Sequence, residues 1–441
     1  MERTLVRDVR GKIGECISLR GFVQTVRNQK AVQFIILRDH TGLIQVVAER
    51  SEANSSLNEL IAGLTRESAI QVTGIVLSNP NVKLGQLELQ LRTLSIETLS
   101  DATLPIDLFG KTETDVDKRL DWRFLDLRQP ENQLIFRIQT TVEMAMREFW
   151  IANGFVEIHT PKIMGSPSEG GAELFTLEYF GQTASLAQSP QFYKQMAMAS
   201  GLDRVFEIGP AFRADPSFTP RHSTEFTSVD MEMSWIDSHQ DIMEFEEAWL
   251  CHVLKTVKEK HGNEIAETFG VEVVVPSQPF PKVTMDEAQM ILKNKGYVPP
   301  TETKQGDIDP QGERLLCEYA KEQYDHEFIF IADYPVEVRP FYHMRKDDIP
   351  KETKSFDLLW KWMEITTGAQ REHRYDVLVQ QATEKGVSLE SIQFYLDFFK
   401  FGCPPHGGFG FGLARLLAAM LNQKSIRDVV FLHRGPNRLI P

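Results

Sequence analysis

Cysteine is scarce in this chain of 441 residues, and its placement excludes several classes of protein. The four cysteines stand far apart and show no C-x-x-C spacing, so neither a zinc ribbon nor a disulfide framework is predicted. No apolar run approaches the roughly 18 residues that a membrane span needs, and the first residues do not resemble a signal peptide. We therefore expect a cytoplasmic protein in a reducing compartment, without a membrane segment.

Several common catalytic and nucleotide-binding signatures are also absent. The sequence contains no P-loop, no Rossmann glycine fingerprint, no serine-hydrolase elbow and no zinc-protease helix motif. Positive charge is in the minority, with 48 Lys and Arg against 62 Asp and Glu, a net charge of −14. This balance argues against a protein that coats nucleic acid non-specifically. The length predicts two or three domains.

The first hundred residues have the pattern of a small β-barrel. Five short runs rich in Val, Ile and Leu are separated by turn residues, and one short helix follows the third run. This order predicts an OB-fold, a barrel that often binds nucleic acid; a barrel used for protein interaction is the alternative. We expect the barrel to span 1–103, a polar hinge to span 104–130 and a second domain to span 131–441.

The second domain mixes helical and strand patterns. Leu134, Ile138, Val142 and Met146 recur at helical spacing and predict one long helix that ends at Asn153. Further along, helices and strands alternate without an internal repeat, which favours an α+β fold with a largely antiparallel sheet. We expect strands at 204–212, 224–236, 327–335 and 431–441, and helices at 241–262 and 413–423.

Arginines and aromatic residues concentrate at 204–233. Arg213 ends an apolar strand, Arg221 and His222 occupy the following polar loop, and Phe226 opens the next strand. Two arginines at a hairpin loop can clamp a polyphosphate, because guanidinium groups bind phosphate oxygens in pairs. Phe226 could then stack on a base. The alternative is a hairpin held by salt bridges, with Phe226 in the core.

A glycine-rich segment, 404–421, leads into an apolar helix with Arg415 in its first turn. The glycines allow the backbone to approach a ligand, and Arg415 could reach an anion. Structurally, the same pattern is a tight strand-to-helix turn.

Paired acids and a candidate lysine complete the set. Asp357 and Glu364 flank an alternating run that could aim both carboxylates at one divalent cation, or both could be solvated. Arg371 follows in a Gly-Ala-Gln turn. Gln191 and Lys194 come after a Ser-Pro turn at a spacing that places them on one helix face, although a lysine in such a place is commonly on the surface.

Taken together, these segments resemble the class II aminoacyl-tRNA synthetases. Residues 204–233 look like motif 2, 410–415 (GFGLAR) like motif 3, and 151–163 like motif 1, which lies at the dimer interface in the family. The order RLDWRFLDLR, SEGGAELF, QSPQFYKQM, FRADPSFTPRHSTEF, RPFYHM, GAQREH and PPHGGFGFGLAR is similar to the aspartyl-tRNA synthetases of the archaeal and eukaryotic branch. The resemblance covers nearly the whole chain.

This resemblance implies an OB-fold that binds the anticodon and a catalytic domain whose antiparallel sheet is flanked by helices. It also implies a homodimer that attaches L-aspartate to tRNA(Asp) through an aspartyl-adenylate, with ATP as substrate and Mg²⁺ as cofactor. By resemblance, Arg213 and Arg415 are catalytic, the metal is held by Asp357, Glu364 and Thr367, and the anticodon is contacted by Phe34 and Gln45. The residues that the resemblance assigns to aspartate binding are Glu169, Gln191, Lys194, Arg213, Thr367 and Arg371. Those that it assigns to ATP binding are Arg213, Asp215, Arg221, His222, Ser223, Phe226, Glu364, Gly412 and Arg415.

Lys194 favours aspartate over asparagine, because a neutral amide would leave a buried lysine unpaired, at a cost of roughly several kcal/mol. The alternatives are an asparagine-specific synthetase, a tRNA-free asparagine synthetase and a catalytically silent paralogue. Whether tRNA(Asn) is charged as well, with an amidotransferase as a functional partner, stays open. Three positions depart from the family pattern: Ala414 replaces an acid, Thr367 a serine and His433 a proline.

Overall fold

The computed structural model describes residues 2–110, 114–166 and 173–441. The chain divides into two compact units, Met1–Gln133 and Leu134–Pro441. Within the described ranges, no helix combines the length and the apolar character that crossing a bilayer requires. The predicted boundaries of the barrel (1–103), the hinge (104–130) and the second domain (131–441) stay a prediction.

The first unit contains a closed five-stranded barrel with the strand order β1-β2-β3-β5-β4. Its interior is filled by alternate strand residues such as Ile35 and Leu37, while Phe34 and Ile36 lie on the outer face. The OB-fold prediction is confirmed, including the helix after the third strand. The elements are β1 (Cys16–Asn28), β2 (Val32–Asp39), β3 (Gly42–Glu49), α1 (Ser55–Ala62), β4 (Ala69–Ser78) and β5 (Leu87–Thr98).

Helices follow the barrel. The predicted hinge contains two short helices, α2 (Val116–Asp121) and α3 (Arg123–Asp126). The long helix that the apolar spacing predicts is α4 (Pro130–Ala152), and Ile138 and Val142 are completely buried on its core face. Gly154 follows in the left-handed region, which ends the helix as predicted.

The second unit is built on an eight-stranded sheet with the order β12-β13-β14-β15-β16-β11-β10-β6. Only the pairs β12–β13 and β10–β6 are parallel, so the predicted antiparallel character is confirmed. A small sheet of order β7-β9-β8 stands apart. The strands are β6 (Val156–Glu157), β7 (Ile163–Met164), β8 (Thr176–Tyr179), β9 (Gln182–Leu186), β10 (Arg204–Phe212), β11 (Glu225–Ser234), β12 (Lys282–Thr284), β13 (Phe328–Ala332), β14 (Ser355–Trp360), β15 (Met363–Arg371) and β16 (His406–Gly412).

Helices cover both faces of the large sheet. Along β13, Phe328 and Phe330 join the main core, whereas Ile329 and Ile331 pack into a second core on the opposite face. Because both faces are covered, most residues of the central strands are buried. The helices of this unit are α5 (Gln191–Ala199), α6 (His239–Phe269), α7 (Met285–Asn294), α8 (Pro310–Tyr324), α9 (Tyr375–Glu384), α10 (Gln393–Asp397), α11 (Leu413–Met420) and α12 (Ile426–Val429).

Two predictions about strands are wrong. Residues 431–441 form only an isolated bridge between Gly435 and Arg438, because two prolines and a glycine interrupt the ladder that the apolar residues suggested. Arg371 does not follow a turn: the Gly-Ala-Gln segment continues β15, and Arg371 is its last residue.

Candidate active site

One cavity of about 430 Å³ lies in the second unit, at the strands β11, β15 and β16 and beside α5. It brings together nearly all the residues that the sequence singled out in this unit. Of the others, Glu169 lies outside the described residues, and Asp357 does not line the cavity. The predicted residues on its wall are Gln191, Lys194, Arg213, Asp215, Arg221, His222, Ser223, Phe226, Glu364, Thr367, Arg371, Gly412 and Arg415.

The hairpin β10–β11 supplies one end of the cavity. The two strands pair without a register shift from Arg204 to Phe212, and the loop closes where the Arg213 amide donates to the Thr224 carbonyl at 2.9 Å. The Arg213 guanidinium lies 5.4 Å from the centre of the Phe226 ring. A cation and a half-buried aromatic face therefore stand side by side, an arrangement suited to a phosphate next to a flat ring.

Arg221 is held by an acid that the sequence did not reveal. Its Nη1 donates to Glu313 Oε2 at 2.5 Å, and the same oxygen accepts the Glu364 amide at 3.0 Å. Glu313 lies in the first turn of α8. Nearby, burial and the cations Arg415 and Arg221 lower the pKa of His222, so this ring is neutral at pH 7.

Arg415 and Glu364 form the opposite wall. Arg415 lies in the first turn of α11, directly after β16, as the glycine-rich segment predicts, and its Nη1 donates to the Glu364 carbonyl at 2.9 Å. The Glu364 carboxylate also accepts from Arg415 at 3.2 Å and from the Thr367 hydroxyl at 3.3 Å. Burial favours the neutral acid, but Arg415 and Arg221 outweigh it and hold the pKa of Glu364 below its usual range.

Asp357 is set behind this wall rather than on it. It pairs with Thr367 in the β14–β15 ladder, and its carboxylate lies 2.7 Å from Nη2 of Arg339. Burial raises the pKa of Asp357, partly offset by Arg339. No group of three or more His, Cys, Asp or Glu arranged to hold a metal ion occurs in the part of the chain that the structure describes.

A charge cluster made of Lys194, Arg371, Asp230 and Glu232 lies at the other end of the cavity, where Glu232 stands behind the wall that the other three residues line. Lys194 Nζ lies 3.0 Å from Asp230 Oδ1 and 3.4 Å from Glu232 Oε2, and Arg371 Nε lies 3.0 Å from Glu232 Oε1. All four side chains are almost inaccessible to solvent. Although burial opposes ionisation, Arg371 and Lys194 hold the pKa of Glu232 below its ordinary value.

Sequence reasoning missed both acids of this cluster and the histidine beside it. The sequence indicates Asp230 and Glu232 only as part of the strand β11, and His343 only as part of the motif RPFYHM. Arg371 Nη1 and His343 Nε2 are 3.0 Å apart. Burial and the neighbouring Arg371 keep the pKa of His343 well below its usual value, so the ring accepts this hydrogen bond as a neutral imidazole.

In the barrel, Phe34 and Gln45 share one outer face. Phe34 pairs with Val47 and Ile36 pairs with Gln45 in the β2–β3 ladder, and side chains of alternate residues project to the same side. Phe34 is partly exposed and is not part of the barrel core. Gln45 Nε2 donates to Glu88 Oε2 at 3.1 Å.

The three departures from the family pattern are accommodated differently. Ala414 lines the cavity and packs partly against the main core, so no acid stands beside Arg415 at this position. Thr367 keeps its hydroxyl on the cavity wall. His433 is buried outside the cavity.

Comparison with protein families agrees with this architecture. A model described as tRNA synthetases class II (D, K and N) matches residues 115–434. A model described as an OB-fold nucleic acid binding domain matches residues 17–99, the region of the barrel.

Several relatives are similar over nearly the full length. The aspartate–tRNA(Asp) ligase of Pyrococcus abyssi is 44% identical over 428 residues, which is 97% of each chain. The aspartate–tRNA(Asp/Asn) ligase of Archaeoglobus fulgidus is 40% identical over 440 residues, covering both chains completely.

Solved structures show the same fold. An asparaginyl-tRNA synthetase from Pyrococcus horikoshii, complexed with asparaginyl-adenylate, matches with a TM-score of 0.89 at 31% identity and covers both chains completely. An aspartyl-tRNA synthetase from Entamoeba histolytica matches with a TM-score of 0.87 at 30% identity, over 100% of this chain and 93% of the other. Together with the family model, these matches show that the chain belongs to the class II tRNA synthetases of the D, K and N group, on the aspartate–tRNA ligase branch.

Proposed function

We propose that this protein attaches L-aspartate to tRNA in two ATP-dependent steps, through an aspartyl-adenylate. The observation that carries the proposal is a single cavity with two chemically different ends. One end holds the buried charge cluster with Lys194 and Arg371, and the other holds arginines beside Phe226. The full-length relatives named aspartate–tRNA ligases support the same activity.

The first step brings two anions together. The α-carboxylate of aspartate attacks the α-phosphorus of ATP, and pyrophosphate leaves; catalysis of such a step depends mainly on positioning and on neutralising charge. We assign Arg213 to the α-phosphate and the carboxylate, Arg221 and Arg415 to the outer phosphates, and Phe226 to the adenine. Asp215, His222, Ser223 and Gly412 complete the ATP subsite.

The charge cluster explains a preference for aspartate. Its two cations and two anions already balance, so Lys194 is paired without a ligand and would not be left unpaired by asparagine, contrary to the expectation from the sequence. A bound β-carboxylate would instead share the donors of Lys194 and Arg371 with Asp230 and Glu232. Asparagine carries an amide with no charge, so it would gain no ion pair from these cations. We assign Gln191, Thr367 and Glu169 to the remaining polar groups of the substrate, although Glu169 lies outside the described residues.

The residues at Glu364 fit a magnesium ion shared with ATP. Mg²⁺ is commonly held by one or two carboxylates together with substrate phosphates and water, so a cage of protein ligands is not required. The Glu364 carboxylate and the Thr367 hydroxyl line the cavity on one side of Arg415. We propose that Glu364 and Thr367 are ligands, with Asp357 behind them, and that the ion supplies charge neutralisation at the phosphates. Titration of Mg²⁺ against pyrophosphate exchange by wild type and Glu364→Gln tests this assignment.

The barrel provides a platform for a single-stranded anticodon. Phe34 is exposed enough to stack on a base, and stacking on an aromatic residue contributes about 1–3 kcal/mol per base. Gln45 lies on the same face and can form hydrogen bonds to base edges. We propose that this face reads the anticodon of tRNA(Asp), and that of tRNA(Asn) if both are charged.

A homodimer is supported by apolar residues that remain exposed around motif 1. Met144 and Ile151 on α4, Val156 on β6 and Ile163 on β7 are all exposed. Apolar residues exposed together are typical of a surface that another protein covers. Light scattering at micromolar protein concentration should give the mass of two chains, and a monomer would contradict the dimer.

Charging of purified tRNA(Asp) and tRNA(Asn) transcripts with labelled aspartate tests the main proposal. Charging of tRNA(Asp) alone identifies a discriminating enzyme. Charging of both implies that an amidotransferase acts on the second product. Pyrophosphate exchange that responds to asparagine and not to aspartate would contradict the proposal, and charging of neither tRNA by folded protein would favour a silent paralogue.

A further inference from the structure

A chain of polar side chains runs from the cavity wall into the interior of the second unit. Gln191 lines the cavity, and behind it lie Gln195, Tyr395 and His406, none of which is accessible to solvent. Of these four residues, only Gln191 has a role that the resemblance to the family implies. A buried polar group must be matched donor to acceptor, so the direction of each hydrogen bond in this chain can be worked out.

His406 determines which group donates and which accepts along this chain of hydrogen bonds. Its Nδ1 lies 2.8 Å from the carbonyl oxygen of Pro404, and a carbonyl oxygen only accepts, so the proton is on Nδ1. Burial, opposed by Glu232 and supported by Arg371 and His373, lowers the pKa of His406 to about 4. The ring is therefore neutral at pH 7, and its Nε2 carries a lone pair that can only accept.

The amide of Gln195 takes its orientation from that lone pair. Gln195 Nε2 is 3.0 Å from His406 Nε2 and must donate to it. The other end of the amide, Oε1, then accepts twice: from Gln191 Nε2 at 2.8 Å and from the Tyr395 hydroxyl at 3.0 Å. Reversing the Gln195 amide would place its oxygen against the His406 lone pair and its nitrogen against two donors.

We propose that His406 and Gln195 are positioning residues that fix the amide of Gln191, so that the cavity presents the Gln191 oxygen to the substrate ammonium group. An ammonium group has three donors and no acceptor, so a carbonyl oxygen attracts it and an amide N–H repels it. The Gln191 nitrogen is already committed to Gln195. This inference rests on the proposed function, since it concerns how the same cavity holds aspartate.

Two substitutions of Gln195 separate positioning from simple support of the fold. Gln195→Met keeps the length of the side chain but offers Gln191 only a weak thioether acceptor, so the Gln191 amide can turn. We expect the KM for aspartate in pyrophosphate exchange to rise roughly tenfold or more, as for a lost hydrogen bond to a charged group. The KM for ATP should stay within about twofold, because the ATP subsite is not touched.

Gln195→Glu should rescue binding. A carboxylate still accepts from Gln191 and Tyr395, and its second oxygen accepts from His406 once that ring is protonated. We expect the KM for aspartate to stay within about threefold of wild type. NMR of the histidine ring should show the pKa of His406 raised. Glu232, Arg371, His373 and Cys403 also face this ring and are unchanged in both variants.

Gln33 provides a matched control. It is a buried glutamine of the barrel whose Nε2 donates to Asn28 Oδ1 at 2.7 Å and to the Asn58 carbonyl at 3.0 Å. Gln33→Met should lower stability and leave both KM values unchanged. If Gln195→Met does not fold, His406→Phe removes the acceptor that orients Gln195 and should give the same rise in the KM for aspartate.

The outcomes distinguish this inference from the proposed function. Wild-type protein without aspartate-dependent exchange would overturn the proposed function itself. Wild-type exchange together with an unchanged KM for aspartate in folded Gln195→Met, or an equal rise in Gln195→Glu and Gln195→Met, would overturn only the positioning role.

Discussion

Lys194 is a cation with almost no access to water, and its neighbours explain how it is tolerated. Asp230 Oδ1 lies 3.0 Å away, Glu232 Oε2 lies 3.4 Å away, and the Phe409 carbonyl accepts at 3.0 Å. Such a pair contributes little net stability compared with apolar residues, because both charges lose their hydration. A buried ion pair on a cavity wall is therefore better explained by ligand recognition than by folding.

We predict that Lys194→Met lowers kcat/KM for aspartate in pyrophosphate exchange about a thousandfold, because the β-carboxylate loses its partner and the two acids repel it. Lys162→Met is the matched control: Lys162 pairs with the buried Glu207 at 2.9 Å but does not line the cavity. The control should lose stability and keep its activity. Equal losses of activity in the two variants would contradict a role of Lys194 in recognition.

Glu246 on α6 is a buried acid beneath the cavity. Its Oε1 accepts from the Thr366 hydroxyl at 2.5 Å, next to Thr367 on β15. Burial raises the pKa of Glu246 to about 8 from an ordinary 4.5. The folded protein therefore keeps a proton that the unfolded chain releases, so stability falls as pH rises through this window, by about 5 kcal/mol at most.

We predict that Glu246→Gln, which mimics the protonated acid, reduces this loss of stability between pH 5 and 8. Urea midpoints measured at several pH values should show that the stability of the variant increases relative to that of the wild type as pH rises. Glu244→Gln, an exposed position on the same helix, should follow the wild-type curve. Parallel curves for Glu246→Gln and wild type would show that Glu246 is ionised throughout.

At the scale of the element, β16 can lie between β11 and β15 because it is rich in glycine. A Cβ on Gly408 would overlap the Met231 carbonyl oxygen and the Glu232 carboxylate. We predict that Gly408→Ala destabilises the protein by about 2–3 kcal/mol and raises the KM for aspartate, because Glu232 must move away from Arg371. Thermal denaturation and pyrophosphate exchange measure the two effects.

A glycine in α6 provides the comparison. A Cβ on Gly262 would meet only Lys258 Cγ, at 3.6 Å, an ordinary contact. Gly262→Ala should therefore stabilise the helix by up to about 1 kcal/mol and leave the KM unchanged. If Gly408→Ala, like Gly262→Ala, loses no stability and keeps the wild-type KM for aspartate, the close approach of β16 to Glu232 is not required for stability or for aspartate binding.

Elements with a strong local pattern were predictable from the sequence. The barrel strands alternate with one buried face, and the hairpin β10–β11 has its turn residues between two apolar runs. A strand is predicted at 431–441, but the prolines of this segment prevent it. The Gly-Ala-Gln segment predicts a turn before Arg371, but Gly368 makes room for the Phe356 ring within β15.

The missed site residues lack a local signal. Glu313 meets Arg221 across 92 positions of sequence, so no spacing could connect them. Asp230 and Glu232 lie in a strand that is buried on both faces, where alternation no longer separates core from surface. By contrast, Arg213, Arg415 and Lys194 lie in short motifs, and the residues of each motif are close to one another both in the sequence and in the structure.

At the scale of the whole molecule, the two units carry different parts of the proposed reaction. The charge cluster and the arginines belong to the second unit, so adenylate formation is assigned there, while Phe34 and Gln45 belong to the barrel. Pyrophosphate exchange requires only aspartate and ATP, whereas charging also requires tRNA. A substitution on the outer face of the barrel should therefore separate the two assays.

We predict that Phe34→Ala in the intact chain raises the KM for tRNA in charging roughly tenfold, the effect of losing one stacked base, and leaves pyrophosphate exchange unchanged. Leu60→Ala is the matched control, because Leu60 is an exposed apolar residue of α1 in the same barrel. The control should behave as wild type in both assays. A loss of exchange in Phe34→Ala would mean that the barrel acts on the adenylation step, and an unchanged KM for tRNA would remove Phe34 from the anticodon site.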